Sequence, residues 1–321
     1  MEKSKFNDKH LVVKDNKLIQ ASYKLGSVEQ KIVLSIISKI NMNDNEFNVL
    51  SFDLDYFAEH IGIKSHKGYV DFLEETLIKL RSKTIVIREP DDSRIVSGWL
   101  SAGKIDPDKK KIKLEISNIL KPYLLQLKEK FTRYQLKAVM KLSGSASFRI
   151  YELVKQFQGD KKEWSVDFYI KQIKKLLMIE KSKAYKFYGS IKQRIINPAI
   201  QEINQYTDIC VSYEEIKENK LKRGKPKVIG VRFKATINKQ FFIDNSGAID
   251  VQPQESKPIF QDLKARDPIK KLTHDIQEQE NLIRNIEGKV SEDEMKVQRL
   301  RLNQLKLERD DLIAQIALEK N

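Results

Sequence analysis

Two stretches of this 321-residue chain open with Ser-x-Asp and run into an amphipathic segment: SFDLDYFAEHIGI at 51–63 and SVDFYIKQIKKLLMI at 165–179. Each sits among the same order of neighbours. Ahead of the first, LGSVEQKIVLSIISKI offers Ser27 as a helix N-cap with Gln30 three residues on, then apolar residues at 32, 33, 36, 37 and 40, the spacing of one helix face. Within 51–63 the residues predict a strand end, a capping Asp53 and a short helix stopped at Gly62. Behind it, YVDFLEETLIKLRS (69–82) predicts a second helix, and the alternating runs TIVIRE (84–89), RIVSGWLSAGKI (94–105) and KIKLEIS (111–117) predict a β-ribbon joined by PDDS and DPDKK turns. The order returns with SASFRIYELVKQF (145–157), the 165–179 stretch, a helix from 183 to about 206, and the strands DICVSYEEI (208–216) and KVIGVRFKATI (227–237).

Helix, short helix, helix and ribbon is winged-helix order, and its recurrence predicts duplicated domains rather than one large fold. The expected fold class is α+β, with a first winged helix at 10–130, a second at 131–240 that is the main DNA reader, a linker at 241–268, and a helical hairpin or coiled coil at 269–319. The leucine-rich 118–142 segment is expected to join the two domains as a helix packed on both through Leu124, Leu125, Leu127 and Leu136. The linker assignment rests on a polar, proline-containing, aperiodic stretch, and the terminal helices on apolar residues restarting at Ile269.

The net charge of +15 is unevenly placed. Residues 1–159 carry +8, residues 160–240 carry +10 from 19 Lys and Arg against 9 Asp and Glu, and residues 241–321 carry −3. Cations concentrated on one strongly patterned domain release counterions from a phosphate backbone, so the second copy reads as a polyanion binder. The longest apolar runs fall far short of a membrane span, the polar first residues do not resemble an export signal, and the lone Cys210 excludes a disulfide framework. A cytoplasmic protein is expected.

On a helical wheel with Ala184 as zero, Phe187, Tyr188, Ile191 and Ile195 form a buried face, while Lys183, Lys186, Ser190, Gln193, Arg194 and Asn197 form a polar stripe with no carboxylate. Such a stripe suits a major groove: Arg and Lys pair with guanine, Gln and Asn with adenine. Gly189 near its edge would let the backbone come close to a phosphate. The preceding helix offers Lys171, Lys174 and Lys175 to phosphates, and KENKLKRGKPK has the composition of a wing tip, with Lys220, Lys222, Arg223, Lys225 and Lys227 along the DNA backbone. In the first copy the corresponding helix carries Asp71, Glu74 and Glu75, so base reading is disfavoured there and Lys64, His66 and Lys67 are left as weak phosphate contacts.

Catalytic patterns fail on their own terms. GWLSAGKI (98–105) lacks the hydroxyl that a phosphate-binding loop places after its lysine, and its flanks are strands. The histidines at 10, 60, 66 and 274 cannot form the closely spaced pair of a metal-dependent nicking site, and Asp91–Asp92 and Glu74–Glu75 are solvated charges. No catalytic residue, metal ligand or cofactor is assigned.

The segment LKPYLLQLKEKFTRYQLKAVMKLSGSASFRIYELVKQFQ (120–158), followed by IINPAIQEINQYTD (195–208), resembles the iteron-binding replication initiators of theta-replicating plasmids. The likeness is carried by Lys121, Pro122 and Tyr123, by the helix Ile150, Tyr151, Glu152 and Leu153, and by Asn-Pro-Ala-Ile-x-Glu-Ile-Asn at Asn197 to Asn204, and covers roughly residues 10–238. It implies a non-enzymatic initiator that binds direct repeats in double-stranded origin DNA. The second winged helix would read one major groove, and the first would add DNA contact in a monomer and a dimer interface in an inactive form. Independently of the resemblance, the apolar stripes of the C-terminal helices suggest self-association or recruitment of a host replication protein. A winged-helix transcriptional repressor and a rolling-circle nicking enzyme are the alternatives, the latter disfavoured by the absent His-x-His.

Overall fold

The computed structural model describes residue 6, residues 10–63, 67–89, 91–218 and 226–244, and the single positions 276, 283, 302 and 306. The chain divides into two units, Met1–Gly247 and Ala248–Asn321. The expected linker and terminal helices lie outside the described residues, apart from 241–244 and those four positions.

The first unit begins with β1 (Leu11–Asp15), α1 (Asn16–Ile19), β2 (Ser22–Tyr23), α2 (Ser27–Ile37), β3 (Leu50–Asp53), α3 (Leu54–His60) and α4 (Tyr69–Ser82). It continues with β4 (Thr84–Arg88), β5 (Arg94–Gly98), β6 (Leu100–Asp106) and β7 (Lys111–Ile116). After a 3₁₀ turn at Asn118–Tyr123 come β8 (Phe131–Gln135), α5 (Lys137–Met140), α6 (Ser145–Lys155), β9 (Glu163–Tyr169) and α7 (Ile170–Leu176). A second 3₁₀ turn at Lys183–Tyr185 leads to α8 (Tyr188–Ile191), a π turn at Lys192–Ile196, α9 (Asn197–Tyr206), β10 (Ile209–Lys217), β11 (Val228–Ile237) and α10 (Lys239–Asp244).

The duplication is written in the sheets. One has the order β3-β7-β6 and another β10-β11-β9, so in each copy the strand before the short helix pairs with the last ribbon strand, which pairs with the strand before it. The two copies differ at their Ser-x-Asp starts. Asp53 caps α3 by accepting from the Tyr56 N–H at 3.1 Å, whereas Asp167 lies within β9 and takes a two-pronged pair of 2.7 Å bonds from Arg232. Gly62, at a φ of +86°, supplies the left-handed turn that ends α3.

Three expectations are corrected. The cap of α2 is shifted by one residue: Gly26 is the N-cap, and its N–H donates to the Glu29 carboxylate at 2.6 Å, so Glu29 rather than Gln30 reaches back. The 94–105 run is two strands in different sheets, β5 against β4 and β6 against β7, hinged at the fully buried Trp99. The 118–142 segment is not a helix. Its leucines 124, 125, 127 and 136 are buried as expected, but the chain there forms a 3₁₀ turn, then β8, then α5.

β8 runs antiparallel to β1, with Leu11 opposite Gln135 and Asp15 opposite Phe131. The expected boundary at 130/131 falls immediately before this returning strand. α6 then packs on both halves. Toward the first, Arg149 donates to the Ala21 carbonyl at 2.8 Å and Gln30 donates to the Ser145 carbonyl at 2.8 Å. Toward the second, Lys155 and Tyr151 both bond Asp208, at 2.6 and 2.8 Å.

Between them lies a buried polar knot. Glu152 accepts from Lys14 and from the Tyr134 hydroxyl, each at 2.5 Å, and from the Tyr23 hydroxyl at 3.2 Å. The Arg149 guanidinium stacks 3.7 Å from the Tyr23 ring centroid. Burial alone would raise the Glu152 carboxyl; the attraction of Lys14 and Arg149 outweighs it and holds the group below its ordinary value.

Candidate nucleic-acid interface

The helix of the second copy starts later than its sequence suggests. Lys183 lies in the 3₁₀ turn, Lys186 follows it, and Phe187 has an extended backbone at φ −100° and ψ 147°, so regular helix begins at Tyr188. From there it runs through the π turn into α9. Pro198 accounts for the turn: lacking an N–H, it cannot donate to the carbonyl of Arg194, and its ring would crowd that carbonyl in a tight α-helix. The helix widens instead, with the Asn197 N–H reaching back to the Lys192 carbonyl. Ile191, Ile195, Ile196, Ala199 and Ile203 form the buried side.

All six stripe residues reach the surface, with Ser190 half-buried and Lys183, Lys186, Gln193, Arg194 and Asn197 exposed. They do not share one helix face, because Lys183 and Lys186 precede the helix and the π turn displaces Asn197 relative to Ser190. Phe187 corrects the expectation more sharply: placed on the buried face by the wheel, it is 70% exposed. Ile191 and Ile195 are buried as expected and Tyr188 is half-buried. Uniform spacing missed Phe187 because it assumed helix where the backbone is extended.

Neighbouring elements hold this tip in place. Lys174 of α7 donates to the Lys186 carbonyl at 3.1 Å, so one of the expected phosphate contacts also clamps the turn. Lys192 pairs with Glu215 of β10 at 3.0 Å, and the Tyr213 hydroxyl donates to the Asn197 side-chain carbonyl at 2.9 Å. The hydrogen bond from Lys192 lowers the Glu215 carboxyl and that from Arg232 lowers Asp167, so these carboxylates stay charged and paired. From 181 to 197 the chain carries five cations and no acid. Lys171 and Lys175 are exposed on α7, and Lys227 is exposed just ahead of β11. Lys220, Lys222, Arg223 and Lys225 lie outside the described residues, as do Lys64 and His66. Lys67 is exposed beside Gly68, whose φ of +91° opens α4. The α4 surface presents Asp71, Glu74 and Glu75, the last paired with Lys79 at 3.0 Å.

Among the described residues no group of three or more His, Cys, Asp or Glu could hold a metal ion, and no helix is long and apolar enough to cross a membrane. Family comparison matches residues 11–155 to the description "Initiator Replication protein, WH1" and residues 169–235 to "Initiator Rep protein, WH2". The chain belongs to the replication initiator family. A "Replication initiation protein" of Escherichia coli is 26% identical over 227 residues, covering 67% of this chain and 66% of the relative, so the chain spans just under two thirds of that relative's length. Among solved structures, the Pi initiator protein in complex with iteron DNA superposes with a TM-score of 0.57 at 18% identity, over 73% of this chain and 100% of that one, which establishes a shared fold.

Most residues that carry the family likeness prove to be structural in this chain. Tyr123 donates to Glu89, itself paired with Lys17 at 2.5 Å. Tyr151 and Glu152 sit in the buried contacts of α6. Along α9, Ala199 and Ile203 are core, and Glu202 caps α6 across space by accepting from the Gly144 N–H at 3.0 Å and from Ser143. Asn204 completes β10 like a surrogate strand, accepting from the Val211 N–H at 2.6 Å and donating to its carbonyl at 3.0 Å. Apart from the exposed Asn197, the motif supports the candidate surface rather than forming it.

Proposed function

We propose that this chain is a sequence-specific double-stranded DNA-binding initiator that recognises direct repeats at a plasmid origin, with the second winged helix as the main reader. The observation that carries the reading is the exposed, carboxylate-free tip formed by Lys183, Lys186, Ser190, Gln193 and Arg194, flanked by the lysines of α7. Such a tip offers bidentate donors to base edges and cations to the phosphates on either side. Family membership supports replication as the purpose, and the iteron DNA bound to the Pi initiator protein supports repeats as the ligand.

In this proposal, Lys171, Lys174, Lys175, Lys227 and the wing cations 220, 222, 223 and 225 contact the backbone, and Lys64, His66 and Lys67 add weaker contacts from the first copy. Initiation follows from non-covalent distortion of the duplex and recruitment of host replication proteins through the terminal helices. A homodimer forms in one functional state. No residue is assigned a catalytic role.

Footprinting on the DNA adjoining the gene tests the reading. Several protected direct repeats are expected. A single protected operator would replace the initiator by a repressor, and a covalent 5′-phosphotyrosine adduct would replace it by a nicking enzyme.

A further inference from the structure

Two residues at the start of α8, Phe187 and Gly189, are unexplained by the chain's own packing. Phe187 leaves 70% of its surface in water, with the Lys186 ammonium 5.5 Å from its ring centroid. Gly189 lies inside the helix, where glycine is the poorest former after proline. Its φ is not positive, and a Cβ built there would meet no atom within 4 Å. Neither backbone conformation nor crowding calls for a glycine.

Both residues are accounted for by a partner lying against the tip. A missing side chain at 189 allows close approach, and an exposed ring at 187 supplies apolar contact. The partner's charge follows from the surroundings, since Lys181, Lys183, Lys186 and Arg194 lie on the same stretch, which contributes no acid of its own, while Lys192 is paired with Glu215. The major-groove edge of duplex DNA carries one apolar group, the 5-methyl of thymine. We infer that Phe187 is a specificity-determining residue that packs on a thymine methyl in the bound repeat, and that Gly189 lets the helix tip come near enough for it to do so. The inference rests on the proposed role of the second winged helix as DNA reader.

The test uses the full chain and a duplex carrying one footprinted repeat, compared with duplexes in which each thymine in turn is replaced by uracil, which removes only the methyl. At one or two positions uracil should weaken wild-type binding about fourfold, the factor expected for one buried methyl-sized group. Phe187→Ala should bind the thymine duplex more weakly by at least that factor and lose the difference between thymine and uracil at those positions. Gly189→Ala should keep or raise the melting temperature while binding the repeat about tenfold more weakly or worse. Wild-type affinity indifferent to uracil everywhere, or a Phe187→Ala protein that retains the discrimination, overturns the methyl contact while leaving the DNA reading in place. Full affinity in Gly189→Ala overturns the close approach. A wild-type chain that does not prefer the repeat over a scrambled duplex overturns the DNA reading itself, and this inference with it.

Discussion

Lys14 on β1 and Glu152 on α6 meet at 2.5 Å with side chains only 1% and 2% exposed. An ion pair at that depth adds little net stability over an apolar pair, but removing one partner strands the other charge away from water. Here the pair joins the amino-terminal strand β1 to α6, far along the chain.

Glu152→Gln should therefore lower unfolding free energy by about 3–5 kcal/mol, read from denaturant midpoints. The double variant Lys14→Met with Glu152→Gln should be more stable than Glu152→Gln alone, because it removes the stranded lysine, leaves Arg149 to the Ala21 carbonyl and the Tyr23 ring, and keeps an acceptor for the Tyr134 and Tyr23 hydroxyls. A double variant as unstable as the sum of the singles would show that the pair does not act as a unit.

Acid should weaken the same junction. Burial acts to raise Glu202, but hydrogen bonds from Ser143, Ser147 and the Gly144 N–H outweigh it and hold the carboxyl below its ordinary 4.5. Glu152 is likewise held below 4.5. A depressed folded-state value means that the stabilisation is complete above about pH 4.5 and is lost as pH falls through the folded value. Melting temperature should thus drop below that pH. Glu202→Gln should cost about 1 kcal/mol near neutrality, as loss of a helix cap does, and show a shallower acid limb than wild type.

Pro198→Ala offers a separation of stability from reading. An interior proline costs a helix about 3 kcal/mol, and its removal lets the 192–196 stretch return to α-helical spacing. The variant should melt at a higher temperature, yet discriminate less between repeat and random duplex, because Gln193 and Arg194 turn relative to the residues that follow. Unchanged discrimination would show that the π turn is not used in binding.

Base reading and backbone contact should differ in kind. Arg194→Ala should weaken binding to the repeat by roughly 1–3 kcal/mol with little effect on random duplex. Neutralising Lys222 and Arg223 should weaken binding to every sequence and flatten the dependence on salt. Equal losses on specific and random DNA for Arg194→Ala would remove it from the recognition surface.

The sequence was most legible where a local rule acts alone. Asp53 and Gly62 bracket α3 as their capping and left-handed preferences require, and the duplicated helix and strand order appears in the matched sheets. It was less legible where a distant partner decides. Nothing local says that Asp167 will face Arg232 across a sheet instead of capping a helix, or that Trp99 will pass the chain from one sheet to another. The 118–142 leucines were correctly read as buried, but burial does not choose a conformation: Leu124, Leu125 and Leu127 lie in turn and loop, Leu136 follows β8, and pairing with β1 made a strand of 131–135. Phe187 was misplaced because a uniform wheel has no place for an extended residue ahead of the helix.

The pairing of β1 with β8 also has a kinetic side. Everything from α1 to β7 is made between the two strands, and a contact spanning that length bears the entropy of closing a long loop before it returns any hydrogen bond. On the ribosome, at roughly 5–20 residues per second, β1 waits on the order of ten seconds for its partner strand, and Lys14 somewhat longer for its counter-charge. The amino-terminal strand is therefore completed by residues made more than a hundred positions later. A nascent chain halted after β7 carries an open strand edge and a lysine whose counter-charge and cover are still to come, which makes the interval before α6 emerges the stage of synthesis most exposed to misassembly and to holdase chaperones.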